Sequence, residues 1–416
     1  MAKDRVDCNR SPKYWVTRSV EYLDKEKDSE IQLTLKTAIA VQYVQIGEIG
    51  LAEQLVSGID AERRDKVWTA LIASAVPRIK VADSEEVLRK IQSPEQREAA
   101  IRALVTRCET LGLFSDCKVL LAQLDDGDRL YYKLALAEAV ARGGNLEEAR
   151  SLFQEANSEI AKTPTVKDDE DFIGMQRDVQ KVIDTCSSAH PIEISYKPPD
   201  SSHSAVRTNC EMFLPGTAFI VGKDAQQTID RARSIADRDK RSGALRKIAA
   251  TAMKKGDSKE ALRMLDESLD EFKGPDENRS VDSWLALLVS ADYLLDLGEK
   301  DRAVAIVERA KQQNANDATG IRVGSIELGG MARYLLREMS ICLNVRLNGA
   351  EAGLKLTEST DSNSRFAFMS AWASSSVEHG DLGFTCQALE NTKTDLDRAS
   401  ICIGIAYGLI NATRIN

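Results

Sequence analysis

"GGNLEEARSLFQEAN", residues 143–157, sets a glycine (Gly144) five residues before an alanine (Ala149), with Phe153 and Ala156 following at steps of four and three. Steps of four and three lie along one stripe of an α-helix. The spacing recurs from other glycines. Gly47 is followed by Ala52, Val56 and Ile59, and Gly112 by Cys117, Leu121 and Leu124. Gly256 leads to Ala261, Leu265 and Ser268, Gly298 to Ala303, Val307 and Ala310, and Gly380, more loosely, to Thr385, Leu389 and Thr392. Seven residues upstream of the same glycines stand Ala40, Val105, Ala137, Ala249, Ala291 and Ala373. A small residue on either side of a short glycine turn lets two helices pack closely and antiparallel. The pattern predicts helical hairpins.

A second spacing marks where the first helix of each hairpin begins. Asp, Ser or Thr stands four residues before an arginine in DAERR (Asp60, Arg64), SPEQR (Ser93, Arg97) and DDGDR (Asp125, Arg129). The same holds in DRDKR (Asp237, Arg241), DSNSR (Asp361, Arg365) and TDLDR (Thr394, Arg398). The leading residue is of the type that caps a helix N-terminus by accepting an orphan backbone N–H. From Arg97, Arg129, Arg241 and Arg365 the hinge glycine comes fifteen residues later each time. The arginines are read as ion-pairing partners that join neighbouring units, in preference to a ligand-binding row. Units starting at Arg64, Arg97 and Arg129, and again at Arg365 and Arg398, are spaced by 32 or 33 residues. Others start at Arg241 and near Arg279 and Arg322. A repeated unit of that length stacks so that each copy contacts its neighbours.

The order of small residue, turn glycine, Ala, large apolar residue and Ala resembles the tetratricopeptide repeat (TPR) family. The closest copies are Leu136, Ala137, Gly144, Ala149, Phe153, Ala156 and Ile248, Ala249, Gly256, Ala261, Leu265. The likeness runs over residues 30–160 and 224–411, without the family's early aromatic in most first helices or its closing proline. It implies an all-α chain: an α-α superhelix, a TPR-like solenoid of antiparallel helix pairs, with one long non-helical insertion. The expected divisions are an N-terminal helix and tail (1–30), a first array (31–165), an irregular repeat with an inserted loop at 187–222 (166–237), and a second array with a terminal helix (238–416).

A chain of 416 residues exceeds the roughly 250–300 at which a single core stops growing, so several domains or an array are required. Hydrophobic residues at 43% and charged residues at 29% are ordinary for a folded chain, and 5% aromatic residues with 9 prolines favour helix over β-sandwich. A net charge of −9 argues against broad binding to nucleic-acid phosphates or anionic lipid. The N-terminus shows no signal-peptide core, and the most apolar stretch, ASICIGIAYGLI at 399–410, is too short for a membrane span. A cytoplasmic location is expected, with the eight cysteines mostly free thiols. The last helix is apolar nearly all round, which suggests an association surface for a second copy, with Gly404 and Gly408 permitting close approach.

The register is lost between Ala161 and Lys223. DDEDFIGMQRDVQKVIDTC and DAQQTIDRARSIAD still read as helices, but Ser187–Gly222 between them carries Pro191, Pro198, Pro199 and Pro215 and reads as non-helical. Its apolar residues Met212, Phe213, Leu214, Phe219, Ile220 and Val221 are expected to dock on the array or a partner. GTAFIVGKD at 216–224 is not a phosphate loop: it has one residue too many between the glycines, and Asp224 where Ser or Thr is needed. Cys186, His190, His203 and Cys210 are the candidate metal ligands, in a spacing that matches no zinc motif. No dinucleotide fingerprint, nucleophile elbow or two-histidine zinc helix occurs. No catalytic residue, cofactor or enzyme activity is expected.

In TPR-like arrays the first helices line a groove that holds partner segments, and the inward positions lie ten, six and two residues before each hinge glycine. The charged residues there are Arg102, Glu138, Arg142, Arg246, Lys254, Asp292, Asp296 and Glu378. The family's chaperone-tail clamp needs asparagines at these positions, and none is present. The function expected is that of a scaffold or adaptor binding a protein or peptide in the groove. The alternative is a helical-repeat RNA-binding protein, although these positions show no repeating polar code. An enzyme or a metal-binding regulator using the 187–222 loop comes third.

Overall fold

A computed structural model describes residues 10–26, 29–75, 81–111, 114–142, 145–185, 206–207, 210–211, 214, 225–273, 280–316, 326–358 and 362–412. Among them the regular structure is all helical, in twenty helices with no strand. The first ten are α1 (Pro12–Leu23), α2 (Ser29–Gln45), α3 (Ile49–Val56), α4 (Ala61–Ala75), α5 (Val81–Leu88), α6 (Pro94–Leu111), α7 (Phe114–Leu121), α8 (Asp126–Arg142), α9 (Leu146–Ile160) and α10 (Glu170–Thr185). Then come α11 (Ala225–Arg233), α12 (Arg238–Lys254), α13 (Ser258–Asp270), α14 (Val281–Asp296) and α15 (Lys300–Asn316). The last are α16 (Ile326–Asn348), α17 (Ala350–Glu358), α18 (Ser362–Glu378), α19 (Leu382–Asn391) and α20 (Asp395–Ala412). No described helix is long and apolar enough to cross a membrane.

The hinge glycines turn the chain as their spacing requires. Gly47, Gly256, Gly298 and Gly380 have φ of 79°, 77°, 82° and 90°, a region that side chains rarely tolerate. After each, the next residue's N–H returns to a carbonyl five residues back: Glu48 to Tyr43 (2.8 Å), Asp257 to Ala252 (3.0 Å), Glu299 to Leu294 (2.8 Å) and Asp381 to Ser376 (2.8 Å). This is the Schellman closure, which satisfies carbonyls the helix end leaves open. Asn145 bonds Val140 in the same way at 3.2 Å, whereas Gly112 and Gly144 lie outside the described residues. The small positions before the hinges (Ala40, Val105, Ala137, Ala249, Ala291, Ala373) are fully buried. So are those after them: Ala52, Cys117, Ala149, Ala261, Ala303 and Thr385.

One hinge escaped the spacing. Gly349, with φ of 86°, turns α16 into α17 with Cys342 seven residues before it and Leu354 five after, at the positions where most other hinges have alanine. Gly353, four residues on, takes the close approach instead: a Cβ there would strike Val345 Cγ2 and sit 3.0 Å from Trp372 Cδ1.

Capping also follows the sequence. Asp60, Ser93, Asp125, Asp237 and Thr394 each accept the backbone N–H three residues on, at Arg63, Gln96, Asp128, Lys240 and Asp397. Asp361 lies outside the described residues. Of the following arginines, Arg129 and Arg241 pair inside their own hairpin, with Glu159 (3.7 Å) and with both oxygens of Glu271 (2.7 Å each), and Arg365 pairs with Asp397 of the next unit (3.0 Å). Partly exposed pairs of this kind contribute at most about 1 kcal/mol each, so they set register more than stability.

The chain divides into two compact units. The smaller comprises 56–198 and 218–235. In it α4, α6, α8 and α10 pack side by side, while α5, α7 and α9 each fold back on the helix before them. The larger comprises 1–55, 199–217 and 236–416, so the start of the expected first array belongs with the second. Here α12, α14, α16, α18 and α20 pack in sequence, with α13, α15, α17 and α19 as the return helices.

The last helix is covered inside its own unit. α20 lies against α18 on one side and α1 on another. Gly404 and Gly408 do permit a close approach, but to α18: a Cβ at Gly404 would strike Ser370 O, and one at Gly408 would sit 2.6 Å from Val377 Cβ. Arg398 lies 5.9 Å from the Tyr22 ring of α1, and Gln45 of α2 donates to Tyr407 Oη at 3.1 Å. Ile401, Cys402, Ile403 and Ile405 are buried by these contacts. The apolar face that suggested a second copy is therefore closed by the N-terminal helix, a long-range pairing no local pattern announces.

Cys108, Cys117, Cys210, Cys342 and Cys402 are free and buried, acting as small apolar packing residues. Cys386 is disulfide-bonded, which leaves the described cysteines mostly free, as expected.

Candidate functional site

α14 reads VDSWLALLVSADYLLD, an apolar helix with two acids in its last two turns. Asp292 and Asp296 are four apart, so they share a face, and two carboxylates there would repel each other. The fold supplies two guanidinium groups between them. Arg346, near the end of α16, bonds Asp292 and donates to Asp296 at 2.7 Å and to the Asp292 carbonyl at 3.1 Å. Arg207 comes from the inserted segment, its Nη1 lying 2.9 Å from Asp292 and 2.6 Å from Asp296. The Arg207 guanidinium also lies 4.3 Å from the centre of the Tyr293 ring. The Tyr293 hydroxyl in turn donates to Glu211, one helical turn after Arg207.

This is a desolvated charge network. The Arg207 side chain is 1% exposed and that of Asp292 is 2%. Burial works against the charge on Arg207, and the flanking carboxylates of Asp292 and Asp296 more than offset it, so its affinity for the proton is raised. Burial and the neighbouring Glu211 both hold the Tyr293 phenol well above its ordinary value, leaving it a donor. On α12, burial pushes the Lys247 ammonium down to about 8 against the pull of Glu211. Arg246, also buried, donates to Ser242 Oγ at 2.8 Å.

The segment that carries Arg207 was expected to be non-helical. Instead Val206, Arg207, Cys210 and Glu211 are helical, and Val206, Cys210 and Leu214 are buried. The cause is legible afterwards: the stretch between Pro199 and Pro215 is proline-free, and those three apolar residues recur every four positions. Leu214 docks as expected, whereas Met212, Phe213, Phe219, Ile220 and Val221 lie outside the described residues. Of the candidate metal ligands, Cys186, His190 and His203 also lie outside them. Cys210 is buried with its thiol 3.8 Å from the Leu335 carbonyl, and burial raises it well above the usual thiol range.

The expected groove residues fall in both units. In the smaller, Arg102 pairs with Asp128, Glu138 is half-buried, and the side chain of Arg142 lies outside the described residues. In the larger, Lys254 is exposed, but Arg246 and Asp292 are interior, at 3% and 1% exposure. Asp292 is met there by Arg207 of the inserted segment, and Arg246 by Ser242 of its own helix. A further acidic group, Glu98, Asp125 and Asp128, brings its oxygens within 4.8 Å, but Asp125 caps α8 and Asp128 is held by Arg102.

No family model, curated protein or solved structure matches the chain.

Proposed function

We propose that the protein is a scaffold or adaptor whose helical pairs form TPR-like superhelical arrays that bind a protein or peptide partner, in a cytoplasmic setting. One observation carries this reading: the larger unit already holds a segment foreign to its helical pairs. It does so with side chains from the groove positions of a first helix, Asp292 and Asp296. A surface that grips its own inserted helical turn by charge, aromatic contact and apolar burial has the chemistry to grip another chain's. The acidic balance of the whole, −9, favours such a partner over the phosphates of RNA.

The test places a photocrosslinking residue at Arg102 or Lys254, on first helices, and at Lys259, on a return helix. Each full-length chain is then irradiated in native lysate. The reading expects the same protein captured from the first-helix positions and not from Lys259. Capture of RNA in its place, or no difference between the positions, would overturn it.

A further inference from the structure

Arg207 is among the largest fully buried side chains described, and it is charged. Buried ion pairs are a poor way to stabilise a fold, since well-packed apolar residues in their place are often as good or better. A lid serving stability alone has no need of one. The connection does not need one either. α10 and α11, which flank the insertion, both belong to the smaller unit, yet residues 199–217 between them belong to the larger.

The residues around Arg207 constrain both its charge and its spacing from Glu211. Arg346 supplies one positive charge for the two carboxylates of Asp292, which is buried, and Asp296, which is partly exposed, so without Arg207 that pair keeps a single countercharge. Such a site selects a cation, and the fork of donors on arginine fits two carboxylates better than an ammonium does. Tyr293 adds a spacing rule. Its ring lies under the guanidinium while its hydroxyl bonds the carboxylate four residues later, so one side chain measures an Arg-x-x-x-Glu turn.

We propose that Asp292, Tyr293, Asp296 and Arg346 form a socket for an arginine on a helical segment of a partner protein, with a carboxylate one turn after it, and that Arg207 and Glu211 of this chain fill the socket in cis until the partner displaces them. This rests on the scaffold reading above and gives it a partner chemistry and a means of regulation. Because the segment belongs to the same chain, it competes with a free partner at about millimolar effective concentration. A segment whose own affinity is about 0.1 mM or tighter therefore masks the socket from a free competitor by tenfold or more.

The experiment uses the full-length chain and a fluorescein-labelled peptide of residues 203–216, carrying Cys210→Ser, followed by anisotropy. Arg207→Glu in the protein sets a carboxylate against Asp292 and Asp296 and should evict the cis segment. The altered chain is expected to bind the peptide at least tenfold more tightly than the unaltered one, and not to bind a peptide carrying Arg207→Ala. Equal affinity of both chains, equal binding of both peptides, or no binding by an altered chain with native circular dichroism would overturn the socket. A second readout needs no variant. Trypsin should cut the unaltered chain after Arg207 faster when the peptide is in excess, and the Arg207→Ala peptide should have no such effect; an unchanged rate counts against the proposal. If partner capture by crosslinking succeeds while the peptide fails both tests, the socket falls and the scaffold reading stands.

Discussion

Gly404 and Gly383 are both helical glycines, and their surroundings set them apart. Around Gly383, in the first turn of α19, nothing lies within 4 Å of an added Cβ, whereas at Gly404 it would strike Ser370 O and lie 2.6 Å from Ala373 Cβ. Gly383→Ala should therefore gain about 0.5–1 kcal/mol of stability in urea titrations, from chain entropy alone. Gly404→Ala collects the same propensity gain but must push α20 off α18, for a net loss of about 1–3 kcal/mol. Glu338 on α16 makes a residue-scale prediction in pH. Burial pushes its carboxyl from 4.5 up to about 7, partly offset by the bond to Tyr334. Below pH 4.5 the group is protonated folded or unfolded, and its contribution is complete. As pH rises towards and through 7 the unfolded chain ionises more readily, so that contribution is lost, by about 3 kcal/mol at most. Glu338→Gln should flatten this part of the stability–pH curve; an unchanged slope between pH 5 and 7 would show that Glu338 is not its source.

At the scale of the element, caps and hinges were written locally, while the cover of α20 was not. Asp237→Ala removes the acceptor for the Lys240 N–H and should cost about 1 kcal/mol, without changing the helix boundaries. Removal of residues 1–24 is a harsher matter. It deletes α1, with Trp15, Val16 and Leu23 all buried, and uncovers part of α20. The truncated chain is expected to self-associate in light scattering at concentrations where the full chain does not. Equal scattering from the two would mean that α1 is not the cover that matters.

At the scale of the whole molecule the two compact units predict two unfolding events. Ala149 belongs to the smaller unit and Ala249 to the larger, and both are fully buried where paired helices meet. Ala149→Leu and Ala249→Leu should each cost about 1–3 kcal/mol by wedging those helices apart. In calorimetry of a protein whose far-ultraviolet dichroism is helical throughout, each substitution should lower a different transition. If both lower the same one, the units unfold together.

What the sequence determined by itself is what neighbouring residues decide: where helices start, where they reverse, and which side of each is apolar. The N-caps at Asp60 and Asp237, the turns at Gly47, Gly256, Gly298 and Gly380, and the buried alanines on either side all follow from spacings of fewer than twenty residues. Gly349 was passed over because its hinge replaces the usual alanines with Gly353, a local variation of the same rule. What only the tertiary structure decided is which distant segments meet. Closing α20 with α1 joins the two ends of the chain. Arg207 reaches Asp292 and Asp296 across more than eighty residues. Neither pairing leaves a period in the sequence, because the energy that selects it, burial of a matched apolar face or neutralisation of the buried Asp292 and its neighbour Asp296, exists only once the helices have been brought together.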